Sequence, residues 1–134
     1  MAETGILYIV ATPIGNLEDI SFRAIRILKE SSLIAAEDTR QTKKLLNHYN
    51  ISTSTLSYFE HNRFTRIPQI VNHLKTGKDV AVVTDAGTPG ISDPAYKLIR
   101  AAIETNARVE AIPGPSASIT ALVASGLPTD RFIF

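Results

Sequence analysis

A chain of 134 residues has the length of one ordinary domain, and 44% hydrophobic against 20% charged residues excludes a disordered tail. The absence of cysteine excludes a disulfide scaffold, thiolate zinc, iron–sulfur ligation and a cysteine nucleophile together. Fourteen Lys and Arg against thirteen Asp and Glu leave +1, too mild a balance to identify a nucleic-acid binder by charge. No apolar run approaches the roughly 20 residues of a membrane helix. No basic segment precedes the first apolar stretch either. A soluble, cytoplasmic protein is the expectation.

In chain order, two hydrophobic periods alternate. Ile6–Ala11 is a continuous apolar run, as in a strand buried on both faces, and it stops at the Pro/Gly turn Thr12–Asn16. A helix is expected over Ser21–Glu30, with Asp19 or Ser21 as its cap. Leu33–Ala36 reads as a second strand, and a helix follows from Thr39 to Tyr49. Thr55–Phe59 is a more polar strand. Ile67, Ile70, Val71 and Leu74 recur at one-turn spacing in a helix that Gly77 ends. Asp79–Thr84 is a fourth strand and Asp85–Ser92 a Gly/Pro-rich loop. Asp93-Pro94 then starts a helix whose apolar face is Ala95, Leu98, Ile99, Ala102 and Ile103. Val109–Ile112 is a fifth strand, and Pro113–Ser116 turns into a small-residue helix ending near Gly126. Arg131–Phe134 reads as the opening of a further strand. This pattern predicts an α/β fold: a mostly parallel, five-stranded, Rossmann-like sheet with helices on both faces.

In such sheets ligands bind at the carboxyl ends of the strands. Three loops there combine Gly, Pro and small hydroxyl residues: Thr12–Asn16, Asp85–Ser92 and Pro113–Ala117. None carries Gly-x-Gly-x-x-Gly or Gly-Lys-Ser/Thr, so dinucleotides and ATP are poor candidates. In the second, Gly87 and Gly90 permit positive φ and close backbone approach, while its two prolines limit the ordering cost of binding. Asp85 accepts hydrogen bonds from a ligand or from its own turn, Asp93 caps the next helix, and on local sequence Ser116 is a simple N-cap. Glu37–Lys44 sets two carboxylates before a basic first helical turn. Because the helix dipole opposes cations there, the stretch reads equally as a phosphate contact led by Arg40 and as a solvated helix capped by Asp38 or Thr39. The Phe59–Arg63 loop offers an aromatic for base stacking, or is a plain connection. His48, His61 and His73 have no metal-like spacing, with His48 and His73 expected to face solvent, and no nucleophile elbow is present. No metal is expected.

Taken together, Ala11–Asp19, Ala36–Arg40, Asp85–Pro94 and Pro113–Ala117 resemble the small-subunit ribosomal RNA methyltransferase I group of the tetrapyrrole methylase superfamily. The Asp-Ala-Gly-Thr-Pro and Pro-Gly-Pro-Ser-Ala elements are shared with the wider superfamily; Thr-Pro-Ile-Gly-Asn and Glu-Asp-Thr-Arg tilt the resemblance to the RNA enzymes. The resemblance implies S-adenosylmethionine-dependent 2′-O-methylation of a cytidine in 16S rRNA by a homodimer of two-domain subunits, with the cofactor between the domains. It implies cofactor contacts from Pro13, Gly15, Asp85, Gly87, Thr88, Pro89, Ser92, Ser116 and Ala117. Glu37 and Asp38 become candidate catalytic carboxylates, and Asn16, Arg40, Lys43 and Lys44 candidate substrate contacts. On this reading residues 1–134 are a single N-terminal domain, with the second domain absent and little activity alone. The rivals are a tetrapyrrole C-methyltransferase of the same superfamily and a non-catalytic dimerisation or RNA-docking module.

Overall fold

The computed structural model describes residues 3–134 and contains five strands and five helices in strict alternation among them. They are β1 (Ile6–Val10), α1 (Phe22–Glu30), β2 (Leu33–Ala36), α2 (Thr39–His48), β3 (Thr55–Ser57), α3 (Arg63–Lys75), β4 (Val80–Val83), α4 (Ala95–Glu104), β5 (Arg108–Ile112) and α5 (Ala117–Ser125). The strands form one sheet in the order β3-β2-β4-β1-β5, with every pairing parallel.

Strand periodicity splits the apolar residues between two cores, because successive side chains leave opposite faces. Leu7, Ile9, Leu33, Ala35, Val80 and Val82 meet Ile70 and Leu74 of α3 and Leu98 and Ala102 of α4. Val10, Ile34, Ala36, Ala81 and Val83 meet Ala24, Ile27 and Leu28 of α1 and Leu45 and Leu46 of α2. Each large side chain so buried contributes roughly 1.5–3 kcal/mol. The placement obeys the right-handed crossover rule: β1 to β2 to β3 runs one way along the sheet with helices on one face, and β3 to β4 to β5 runs back with helices on the other.

Local chemistry sets the helix starts. The Ser21 hydroxyl accepts from the Ala24 N–H at 3.0 Å, and Asp38 accepts from the N–H groups of Arg40 and Gln41. Asp93 accepts from Ala95 N–H at 2.9 Å and from Gly90 N–H at 2.8 Å, so one carboxylate caps α4 and closes the preceding loop. Buried Tyr58 donates its hydroxyl to the Pro94 carbonyl at 2.6 Å, which pins that loop to the end of β3. Burial pushes its phenol up to about 12.

Three expectations are corrected. Ser116 occupies the N-cap position of α5 but makes no capping hydrogen bond; its hydroxyl has only a 3.5 Å contact to Ser118. Arg131–Phe134 carry no strand, since no neighbouring strand edge pairs with them. His48 is exposed as expected, but His73 is half-buried, its Nδ1 3.1 Å from the Gln69 carbonyl. None of α5 is buried, and Val123, Leu127 and Ile133 are 69%, 65% and 100% exposed.

Candidate functional site

An all-parallel sheet puts every strand's carboxyl end on one rim, so the three Gly/Pro loops share that rim. The first two are joined directly: Thr12 and Gly87 exchange both backbone hydrogen bonds at 3.0 Å in an isolated antiparallel bridge. Gly87 has φ +83°, a region that strains any residue with a Cβ. The third loop lies across β1. A Cβ built on Gly114 would stand 2.7 Å from the Ala11 Cβ, so this glycine is set by close approach and not by a positive φ. Pro115 completes the seam, its carbonyl 3.7 Å from where a Gly87 Cβ would be.

The sheet order creates a concavity here. β1 and β4 are neighbours, yet α1 and α4 leave them for opposite faces, and ligands bind in α/β sheets where the connections part in this way. Beside this point a cavity of about 280 Å³ opens between the β1–α1 loop and the first turns of α2. It gathers the expected residues Pro13, Gly15, Asn16, Lys44 and Asp85 with Thr12, Leu17, Gln41, Thr42, Leu45 and Thr84. The Tyr49 hydroxyl donates to the Leu17 carbonyl and ties the loop down over α2. Asn16 shapes the same loop, its Oδ1 accepting from Glu18 N–H at 3.0 Å. Gln41 and Leu45 also line this cavity and are not among the expected residues; their i+3 and i+7 spacing from Asp38 along α2 is the signal in the sequence.

The carboxylates sit at the ends of β2 and β4. Glu37 accepts from the Thr84 hydroxyl and Asp85 from the Asp38 N–H, both at 3.3 Å. Asp85 thus bridges two loops instead of capping its own turn. The Asp38 carboxyl is held below its ordinary value, first by the Arg40 N–H, with the Gln41 N–H and the Arg40 charge adding to it. That makes it a helix cap and a weak proton acceptor.

The other expected residues lie apart. Lys43 points away from the cavity and lines a groove with Asn47 and Ser54. Arg40 is 92% exposed, 3.6 Å from Asp38. Ser92, at φ +56°, lies in a shallow depression with Glu60, Asp93 and Tyr96. Thr88, Ser116 and Ala117 lie on the open side of the rim by β5, with Thr88 and Ala117 exposed, Ser116 half-exposed and Pro89 buried beneath. The Phe59–Arg63 loop is organised by Asn62, whose Oδ1 accepts from Phe59 N–H at 2.8 Å. Among the described residues no three His, Asp or Glu side chains converge as a metal site.

The family model of the tetrapyrrole (corrin/porphyrin) methylases matches residues 6–133. The chain belongs to that family. It is 58% identical over 132 residues to the ribosomal RNA small subunit methyltransferase I of Halalkalibacterium halodurans, covering 98% of this chain and 46% of that protein. It is 55% identical over 130 residues to the protein of the same name from Synechocystis, covering 97% and 47%. The chain therefore spans about half the length of these curated relatives. Among solved structures, its fold is shared by uroporphyrin-III C-methyltransferase from Thermus thermophilus, with TM-score 0.69 at 19% identity over 92% of this chain and 54% of that one. A conserved hypothetical protein from Aeropyrum pernix K1 superposes with TM-score 0.76 at 21% identity over 97% and 46%.

Proposed function

We propose that this chain supplies one wall of the site of an S-adenosylmethionine-dependent methyltransferase acting on small-subunit ribosomal RNA, at a cytidine 2′-hydroxyl. The observation that carries the reading is the seam of Thr12–Asn16, Asp85–Ser92 and Pro113–Ala117 on one rim, in a chain 55–58% identical to proteins named as ribosomal RNA small subunit methyltransferases.

The groups on the open side of the rim fit such a methyl donor. The Thr88 hydroxyl has no hydrogen-bond partner among the described residues, and the Ser116 hydroxyl is left free by its failure to cap. The first N–H groups of α5 lack intrahelical acceptors. Gly87 brings backbone close without a side chain. The two hydroxyls and the α5 N–H groups are partners for sugar hydroxyls, a purine edge and an amino-acid carboxylate, and none of these is committed to holding the fold. The donor supplies a methyl group already activated on sulfonium, which leaves the protein the task of positioning. Glu37 and Asp85 are the exposed carboxylates placed to accept a proton from an acceptor hydroxyl, while Asp38 orients α2.

The exposed apolar surface of α5 and the segment after it is where the other half of such a protein packs, closing the donor site. Alone, the 134 residues then bind S-adenosylhomocysteine weakly, with Kd above about 0.1 mM. Amide shifts at Gly87, Thr88 and Ala117 on titration with that compound test the donor reading; a ligand that leaves both loops unmoved refutes it. Tight, micromolar binding refutes the half-site. Methyl transfer to 30S particles and to uroporphyrinogen, by a full-length enzyme carrying this sequence, separates RNA from macrocycle as acceptor.

A further inference from the structure

The turn Phe59–Asn62 between β3 and α3, and the first turn of α3, take no part in the proposed reaction site, although the chain leaves β3 on the same rim. We infer that these two turns form a stacking platform for a single-stranded stretch of RNA that flanks the reacting nucleotide; the inference rests on the reading of RNA as the substrate.

The backbone here is fixed more firmly than a connection requires. Asn62 stands at the N-cap position of α3 but makes no side-chain capping bond. Its amide holds the turn instead: Oδ1 accepts from Phe59 N–H at 2.8 Å, and Nδ2 donates to the Ser57 carbonyl and hydroxyl at 3.2 and 3.1 Å. Arg66 donates its Nε–H to the same carbonyl at 3.0 Å. On this rigid base sit rings that pack into neither core. Phe64 is 78% exposed, and the guanidinium carbon of Arg63 lies 4.4 Å from its ring centroid, so one face is covered by a cation and the other is open. Phe59 and His61 are exposed beside it, edge to face with centroids 6.0 Å apart.

The charge around the rings selects the partner. Glu60 is shared by Arg63 and, at 3.5 Å, by Lys97. Arg66 bonds Ser57 and Gln69 and has no carboxylate partner among the described residues. Asp93 is engaged with the two N–H groups it caps. Three cations against the one carboxylate of Glu60 suit an anion that also carries flat rings, and single-stranded nucleic acid joins stacking to backbone charge in this way. The exposed surface of α5 is the contrast, since Ala117–Ser125 contains no charged residue and suits an apolar protein contact. Position agrees. β3 lies two strands from β4 and three from β1, which sets the platform roughly 10–15 Å from the donor seam, a span of a few unpaired nucleotides.

Titration of the ¹⁵N-labelled chain with single-stranded hexacytidylate at about 50 mM salt is expected to move the amides of Phe59, His61, Phe64 and Lys97, with a Kd of about 0.1–1 mM. Phe64→Ala weakens binding about fivefold and Phe64→Trp restores it. Phe22→Ala removes a ring that is still more exposed, on α1 across the sheet, and leaves binding unchanged. Binding falls with salt at a log–log slope of about −1.5 to −2, for two or three phosphates engaged, and Lys97→Gln makes the slope shallower by about 0.7. A blunt RNA hairpin, whose bases are already stacked in its stem, binds more weakly. Shifts elsewhere on the surface, no saturable shift up to about 5 mM, equal loss in Phe22→Ala and Phe64→Ala, or a hairpin bound as tightly overturn the inference. Binding indifferent to salt also overturns it, by assigning the rings to an apolar protein partner. In a full-length enzyme carrying this sequence, Phe64→Ala raises the KM for 30S particles more than it lowers kcat. No methyl transfer to 30S particles at all removes the RNA reading and the platform with it; transfer that Phe64→Ala leaves untouched removes the platform alone.

Discussion

Gly114 gives the sharpest test of how the rim is built. An added Cβ would lie 2.7 Å from the Ala11 Cβ, closer than such carbons come, whereas the next atoms, the Ala11 carbonyl oxygen and carbon, are at ordinary distances of 3.5 and 3.7 Å. The Ala11 Cβ hangs directly on the backbone at the end of β1 and is 1% exposed, so it cannot swing aside. Gly114→Ala must therefore move the loop, at the roughly 1–3 kcal/mol typical of overpacking. At about 3–5 °C per kcal/mol for a domain of this size, a central loss of about 2 kcal/mol lowers Tm by roughly 6–10 °C. Ala11→Gly alone removes a buried methyl group and loosens the strand end, at roughly 1–2 kcal/mol. The two changes together transfer the methyl group from one side of the contact to the other. In the Ala11→Gly background, then, Gly114→Ala should cost close to nothing, a coupling of at least about 1 kcal/mol between adjacent residues. Urea unfolding of the four proteins, followed by a common probe, measures it. Equal penalties for Gly114→Ala in both backgrounds would refute the close-approach account.

Other substitutions probe other joints. Gly5→Ala puts a Cβ 1.9 Å from the Lys78 carbonyl oxygen, a rigid backbone atom, and should destabilise by more than Gly114→Ala in the same urea series. Tyr58→Phe leaves the Pro94 carbonyl with only the Lys97 N–H, at 3.1 Å, and costs about 1 kcal/mol at neutral pH. Because the folded-state phenol lies at about 12 against an ordinary 10.0, its stabilisation is complete below pH 10 and lost as pH rises from 10 to 12. The wild-type advantage over Tyr58→Phe should vanish across that window, and a constant gap would discount the buried phenol. Asp38 is lowered, so its cap acts above the ordinary carboxylate range and fails as pH falls through its depressed value. Amide exchange at Arg40 and Gln41 should speed up below about pH 4, and Asp38→Ala should give the fast exchange at every pH while Asp38→Asn keeps the cap.

The fold was largely legible because its signal is local. A β-branched run, a turn residue and a helical period follow one another five times, and each strand end found in the structure lies within two residues of its expected place. What stayed hidden was nonlocal or rotational. Nothing near Thr12 in the chain announces its bridge to Gly87, 75 positions on, and nothing in Pro-Gly-Pro reveals that Gly114 faces Ala11. Lys43 and Lys44 are equivalent as letters, yet consecutive helix positions are turned by about 100°, which sends one into the cavity and the other to a separate groove. Nothing in the small-residue pattern of α5 reveals that none of it is buried, because composition carries no information about whether a partner surface is present.

That the same loops both hold the rim together and face a ligand explains why the local reading of each stayed ambiguous. Gly87, Gly114 and Asp93 have structural work: a bridge at positive φ, a close approach and a double cap. Thr88 and Ser116 have none, since one hydroxyl has no partner among the described residues and the other reaches only Ser118 at 3.5 Å. Removing an exposed hydroxyl that bonds nothing changes stability by no more than about 0.5 kcal/mol. Stability and ligand binding should therefore separate by residue within a single loop: substitutions at the glycines disturb the fold first, whereas Thr88→Val and Ser116→Ala leave unfolding unchanged and act only on what the rim binds.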